Sequence, residues 1–248
     1  MPETPIQLPI RKPWLRWVER LPIPKERKGQ FPFSLPLVQK TKKLELHPDV
    51  TFLVGENGSG KSTLLEAIAV AWGFNAEGGN KNVNFVTKAS HSPLHEFLKL
   101  QKSLLAPANG YFLRAESFYN LATYMDSDSG PNGFGLQNLH HVSHGELFLA
   151  SLLTKFKPNG FFICDEPEAA LSAQRQMAAV ARIHQLVQQG SQFIIATHSP
   201  ILLAYPNATI YECTPKGLIH IKYEETEAYR LTRGFLNDYQ RMLDELMK

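Results

Sequence analysis

Three observations on this sequence predict an α/β fold with a mostly parallel sheet flanked by helices, plus an antiparallel β part. Apolar runs of strand length alternate with stretches of good helix formers along most of the chain. Three of those runs end in residues that carry chemistry: Val50–Val54 stops at Gly55, Phe161–Cys164 at Asp165, and Gln192–Ala196 at Thr197-His198. Ligands of open α/β sheets sit at the carboxyl ends of the strands, so the coincidence marks one edge of the sheet as the site. Finally, Ala208–Cys213 and Leu218–Tyr223 flank a turn at Pro215-Lys216-Gly217, which reads as an antiparallel hairpin.

Taken in order, residues 1–48 hold nine of the seventeen prolines, a density that forbids long helices. Trp14–Val18 reads as a short strand, with its tryptophans packed inward because exposing both is costly. This segment is basic, with ten Lys/Arg against four Asp/Glu, whereas the remaining chain holds sixteen against nineteen. A basic arm can touch nucleic acid or an acidic partner; a solvated edge is the plainer alternative.

Residues 50–72 are the most informative stretch. Val50-Thr-Phe-Leu-Val54 runs into Gly55-Glu56-Asn57-Gly58-Ser59-Gly60-Lys61-Ser62-Thr63, and good helix formers follow from Leu64. Strand, glycine-rich turn and helix in this order form a phosphate-binding loop, the mark of a P-loop NTPase. Glycines let backbone N–H groups close around phosphate oxygens, and the helix N-terminus adds partial positive charge. Lys61 can reach the β- and γ-phosphates, and Ser62 can ligate Mg²⁺. A bare match arises by chance about once in a hundred chains of this length, and the flanking strand and helix make chance a poor explanation. The expected ligand is a nucleoside triphosphate. Trp14, Trp17, Phe31 and Phe33 are candidates for stacking on its base.

Further along, Gly78-Gly79-Asn80 marks a loop, and apolar residues at 94, 97, 98, 100, 104 and 105 predict a helix over 92–105. His91 and His95 are four apart but lack a carboxylate or thiol partner, so solvent-facing histidines are the simpler reading. Tyr111–Arg114 reads as a strand. Asp126–Gly135 is a polar loop whose alternating Asp and Ser lack the spacing and terminal Glu of a calcium loop. Ser143-His-Gly-Glu146 precedes a helix over 147–155 and has the form of a capping box, which also makes an anion-binding helix end. Helices are expected over 171–189, closed by Gly190, and over 225–247. The last carries apolar residues at steps of three and four, for its own domain or for a partner seam.

Composition excludes several classes. A chain of 248 residues with 43% hydrophobic and 20% charged residues is ordinary for a globular protein. No apolar run reaches the roughly 18 residues of a membrane span, and the N-terminus lacks the layout of a secretion signal. Cys164 and Cys213 do not make a disulfide framework, so a cytoplasmic location is expected. One domain over 1–248 is the simplest division, with 1–48 as an N-terminal segment and 225–248 as a C-terminal helix.

Asp165-Glu166 supplies two functions needed beside a triphosphate. Asp165 can hold Mg²⁺, and Glu166 can polarise the attacking water. A surface carboxylate pair is the bland alternative, but the pair ends a buried strand 104 residues after Lys61. His198, ending the next strand, can contact the γ-phosphate.

The order of these motifs resembles the ABC-type ATPase superfamily. Gly55–Thr63 resembles its Walker A, Val142–Glu146 its signature, Phe161–Pro167 its Walker B with catalytic glutamate, Ala170–Ser172 its D-loop, and Thr197–Ser199 its switch histidine. The Asp-Glu-Pro-Glu-Ala-Ala-Leu run is more similar to the non-transporter branch, which includes stand-alone AAA-family ATPases and the heads of chromosome-maintenance, DNA-repair and phage-defence ATPases. The resemblance implies ATP and Mg²⁺ as ligands, with hydrolysis by Glu166, His198 and Lys61. It also implies a head-to-tail homodimer in which Ser143 and Gly145 of one copy close on the ATP of the other. ATP would then act as a clamp or switch on a partner protein or on DNA. Three departures stand out: His144 and Glu146 in the signature, Ser172 in the D-loop, and Glu116 where a Q-loop glutamine belongs. Two rival readings remain. One is the ATP-binding subunit of a membrane transporter, which needs a separate membrane partner. The other is a low-turnover regulatory module of a nuclease or toxin.

Overall fold

The structure, a computed structural model, describes residues 12–79, 92–114 and 152–248. The chain begins with β1 (Leu15–Arg20), α1 (Pro36–Lys40), β2 (Lys43–Glu45), β3 (Val50–Val54) and α2 (Lys61–Trp72). Next come β4 (Leu98–Lys102), β5 (Asn109–Arg114), β6 (Gly160–Asp165), α3 (Ala173–Gln188) and β7 (Gln192–Ala196). The C-terminal part holds α4 (Pro200–Leu203), the hairpin β8 (Thr209–Thr214) and β9 (Gly217–Ile221), then α5 (Glu227–Asn237) and α6 (Tyr239–Leu246).

Among the described residues, six strands form the main sheet in the order β5-β6-β7-β3-β8-β9, parallel except for the last pair. A smaller antiparallel sheet has the order β2-β1-β4. The expected α/β architecture with an antiparallel part is therefore present. Strands β3, β6 and β7 are buried along their whole length because both faces are covered. Alternation sends Phe52, Phe162 and Phe193 to one face, under Ala179, Ile183, Leu186 and Val187 of α3. Leu53, Phe161 and Ile194 face the other way, under α2 and the small sheet.

Gln192 ties the two sheets together. Its Oε1 accepts the Leu15 N–H at 2.9 Å and its Nε2 donates to the Leu15 carbonyl at 2.8 Å. Beside it, the Trp14 indole donates to the Gly190 carbonyl at 2.9 Å, which explains why this tryptophan is buried. Phe162 lies at the centre of the first face, stacked on Phe156 at 4.2 Å and near Phe193 at 5.0 Å. Phe162→Ala is expected to cost about 3–5 kcal/mol in denaturant unfolding, the usual range for a buried aromatic whose cavity cannot collapse.

Two expectations about local structure are corrected. Residues 92–105 do not form a helix: Pro93–Phe97 is a 3₁₀ turn and Leu98–Lys102 is a strand paired with β1. Leu98 and Leu100, two apart, carry the strand period and pack on the core shared by α2 and the small sheet. The C-terminal helix over 225–247 is two helices, broken at Asp238 (φ −152°, ψ 60°), whose carboxylate caps the second by accepting the Arg241 N–H. Ala228 packs on the core, while Leu231, Leu236, Tyr239 and Leu246 are exposed. Among the described residues no helix is long and apolar enough to cross a membrane.

Candidate active site

The loop after β3 has the geometry that its glycines allow. Gly55, Gly58 and Gly60 all have positive φ (138°, 80° and 96°), a region that side chains disfavour. Gly55 is the most constrained, since a Cβ there would lie 2.7 Å from the Cys213 carbonyl oxygen. Gly60 caps α2 without any side-chain hydrogen bond, so the helix's first N–H groups are not satisfied by a capping side chain. The Ser59 hydroxyl is buried with no hydrogen-bond partner among the described residues. Open N–H groups at the start of a twelve-residue helix and an orphaned hydroxyl in the same loop fit an anion of phosphate type.

Lys61 is buried at the start of α2 and donates to the carbonyls of Gly55 at 2.7 Å and Glu56 at 2.9 Å. An ammonium has three donors, so one N–H beyond these two bonds is left to meet a phosphate oxygen. Burial lowers the Lys61 pKa, against the pull of the nearby carboxylates Glu166, Asp165 and Glu168. The Cys213 thiol beside it is pushed up to about 12 by burial and so carries no charge near neutral pH.

Across the loop, the end of β6 brings Asp165 to the phosphate side. The Ser62 hydroxyl donates to Asp165 Oδ1 at 3.1 Å, joining residues 103 apart in sequence. Asp165 is a buried carboxylate, which needs partners to remain charged. Arg114, at the end of β5 and in register with Asp165, supplies one: its Nη1 lies 2.8 Å from Glu66 Oε2 and its Nε lies 4.0 Å from Asp165 Oδ2. Glu66 sits one turn beyond Ser62 on α2 and also accepts the Ser92 N–H at 3.1 Å. Sequence reasoning missed Arg114, although it too ends a buried strand.

Glu166 follows in the left-handed conformation (φ 50°, ψ 53°) with its N–H bonded to the Ala196 carbonyl at 3.0 Å. Non-glycine residues held there are strained, and such strain concentrates at functional positions. His198 Nε2 lies 3.9 Å from Glu166 Oε1, and both side chains are 43% exposed, open to solvent and substrate. The structure thus brings together Gly55–Thr63, Asp165, Glu166 and His198. Ser143, His144, Gly145, Glu146, Glu116 and His91 lie outside the described residues. Ser172 caps α3 by accepting the Arg175 N–H at 3.4 Å. His95 Nδ1 lies 3.0 Å from the Ser92 carbonyl oxygen.

A family described as an AAA domain matches residues 30–103, which include the phosphate loop and α2. No curated protein matches the chain in sequence. Among solved structures, an SMC head bound to the C-winged helix domain of ScpA shares 15% identity over 86% of this chain and 99% of that one, with a TM-score of 0.50. The fold is that of a P-loop ATPase. The SMC head domain from Thermotoga maritima also aligns, at 16% identity over 84% of this chain and 98% of its own, with a TM-score of 0.45. So does CbiO1 from Clostridium perfringens, part of the ABC transporter complex CbiONQ, at 18% identity, 94% and 98% coverage and a TM-score of 0.48. The chain is thus similar to an AAA domain over residues 30–103 and to an SMC head in fold.

Beside the P-loop opens a cavity of about 570 Å³, lined by Gly55–Ser59, Pro36, Leu37, Glu212, Glu227 and Arg230 among others. None of the four aromatic candidates lines it. Trp14 and Phe33 are buried elsewhere, Trp17 lies under the Lys43 ammonium, and Phe31 is exposed. The basic N-terminal segment is partly neutralised within the chain: Lys12 pairs with Asp49, Lys43 with Glu45 at 2.6 Å, and Arg27 with Glu96 at 3.8 Å.

Proposed function

We propose that the protein is an Mg²⁺-dependent ATPase in which ATP binding joins two copies head to tail. The observation that carries the hydrolytic reading is the Ser62–Asp165 contact, which fastens the P-loop to the strand end that bears Glu166. A charge-binding loop and a proton acceptor are thereby fixed against one another, as phosphoryl transfer requires.

In this reading the N–H groups of Gly58–Lys61 and the Lys61 ammonium bind the β- and γ-phosphates. Ser62 and Asp165 would hold Mg²⁺, which supplies neutralisation of the phosphate charge. Among the described residues no group of three or more His, Cys, Asp or Glu side chains forms a metal cage. Mg²⁺ binds through one or two protein oxygens together with waters and phosphates, a role that Ser62 and Asp165 can fill. Glu166 takes a proton from water as its oxygen bonds to the γ-phosphorus and the bond to the β-phosphate oxygen breaks. His198 steadies the same region from the end of β7. The nucleoside extends into the cavity beside Gly55–Ser59, where Glu212, Glu227 and Arg230 offer hydrogen bonds rather than a stacking ring.

The two-copy part rests on the resemblance of residues 142–146 to an ABC signature, which would bring Ser143 and Gly145 of one copy to the γ-phosphate of the other. A protein partner is proposed by likeness to the SMC head that is seen with ScpA. Light scattering of Glu166→Gln tests the clamp, because that variant should retain ATP. It is expected to run at twice the monomer mass with ATP and at the monomer mass without it. A monomer at saturating ATP would rule the clamp out.

A further inference from the structure

A third carboxylate, Glu168, stands on the same turn as Asp165 and Glu166, within the 3₁₀ segment Pro167–Ala170. The left-handed backbone at Glu166 turns the chain sharply at the end of β6, which lets residue 168 reach the end of β7. There Glu168 Oε1 accepts the backbone N–H of His198. Its Oε2 is buried and takes no hydrogen bond among the described residues. A carboxylate free to choose would solvate both oxygens, so a half-satisfied one signals that its position is fixed for another reason.

The rest of the loop is held from different directions. Thr197 Oγ1 accepts the Ser199 N–H at 3.0 Å, and Ser199 Oγ caps α4 by accepting the N–H groups of Ile201 and Leu202 at 3.1 and 3.2 Å. The Ser199 hydroxyl also donates to Gln176 Oε1 of α3. These contacts secure residues 197 and 199 onward. Among the described hydrogen bonds, Glu168 is the one that grips the peptide of His198 itself.

Resting on the hydrolytic reading above, we propose that Glu168 is a positioning residue. It fixes the His198 peptide and thereby keeps the imidazole within reach of Glu166, 3.9 Å away. The carboxylate that takes the proton and the histidine beside it are then set by one rigid turn, Asp165–Glu168. An ionised acceptor makes the stronger hydrogen bond to a backbone N–H, which suits a contact that must hold a loop against substrate.

The test compares Glu168→Ala and Glu168→Gln in steady-state ATP turnover, each alone and with His198→Ala. Glu168→Ala is expected to lower kcat by about tenfold to a hundredfold while KM for ATP stays within about twofold, the pattern of a lost transition-state interaction. Glu168→Gln, whose carbonyl oxygen can accept the same N–H, is expected to recover most of that loss. With His198→Ala in place, Glu168→Ala should add nothing further. An equal loss in both backgrounds, or wild-type kcat in Glu168→Ala, overturns the proposal. Amide exchange at His198 gives a second readout that does not depend on turnover: protection should fall in the Ala variant and persist in the Gln variant. Unchanged protection in the Ala variant also overturns it. If the wild type forms no phosphate, the hydrolytic reading fails by itself, and the exchange result still decides the contact.

Discussion

Lys61→Ala is expected to weaken Mg-ATP binding by about a hundredfold, the equivalent of ~3 kcal/mol for a charge-assisted bond to phosphate. The ammonium is buried and already oriented by the Gly55 and Glu56 carbonyls of the loop. Titration calorimetry checks this and also reads out the proton. Burial lowers the Lys61 pKa in the free protein, and a bound polyphosphate must raise it again by favouring the charged form. The sign follows: affinity is full below the free-state pKa and falls as pH rises through it, with proton uptake on binding in that window. Binding heats in alkaline buffers of different ionisation enthalpy should therefore differ for the wild type and coincide for Lys61→Ala.

Glu166→Gln is expected to lower ATP turnover by about 10²–10⁴-fold, the range for loss of a general base. ATP affinity should stay near that of the wild type, because the loop proposed to bind phosphate is untouched. The substitution keeps the side chain's size and leaves the left-handed backbone at position 166 as it was. Its side chain is 43% exposed, so stability should change by no more than about 0.5 kcal/mol. Single-turnover phosphate release and thermal unfolding on the same preparation separate a chemical loss from a folding one.

Most of the sheet edge that bears the site was legible because its signals are local. Val50–Thr63 declares strand, turn and helix within fourteen residues. Phe161–Cys164 and Gln192–Ala196 are apolar runs too short for helices, and they lead into Asp165 and Thr197-His198, which do not continue an apolar run. The less legible parts depend on neighbours distant in sequence. Leu94, Phe97 and Leu98 fit a helical face, and only pairing with β1 reveals that Leu98–Lys102 is a strand. Asp238 breaks the C-terminal helix one turn after Gly234, with no proline to announce it. Arg114 and Glu168 are singled out by what lies opposite them, Asp165 on the adjacent strand and His198 across the strand ends. Neither carries a spacing rule. The cavity beside the P-loop was equally hidden, because Glu212 and Arg230 reach it from a hairpin and a helix that follow the loop by more than 150 residues.

The central claim is that Glu166, which follows β6, acts on a nucleotide held by the loop that follows β3. Phosphate formed from Mg-ATP in a single turnover, by wild type and Glu166→Gln at matched ATP occupancy, tests it most directly. The wild type is expected to form phosphate only with Mg²⁺ present, and the Gln variant to bind ATP yet form at least about a hundredfold less per unit time. A wild type that binds Mg-ATP without cleaving it, or a Gln variant that cleaves it at the wild-type rate, would contradict the claim.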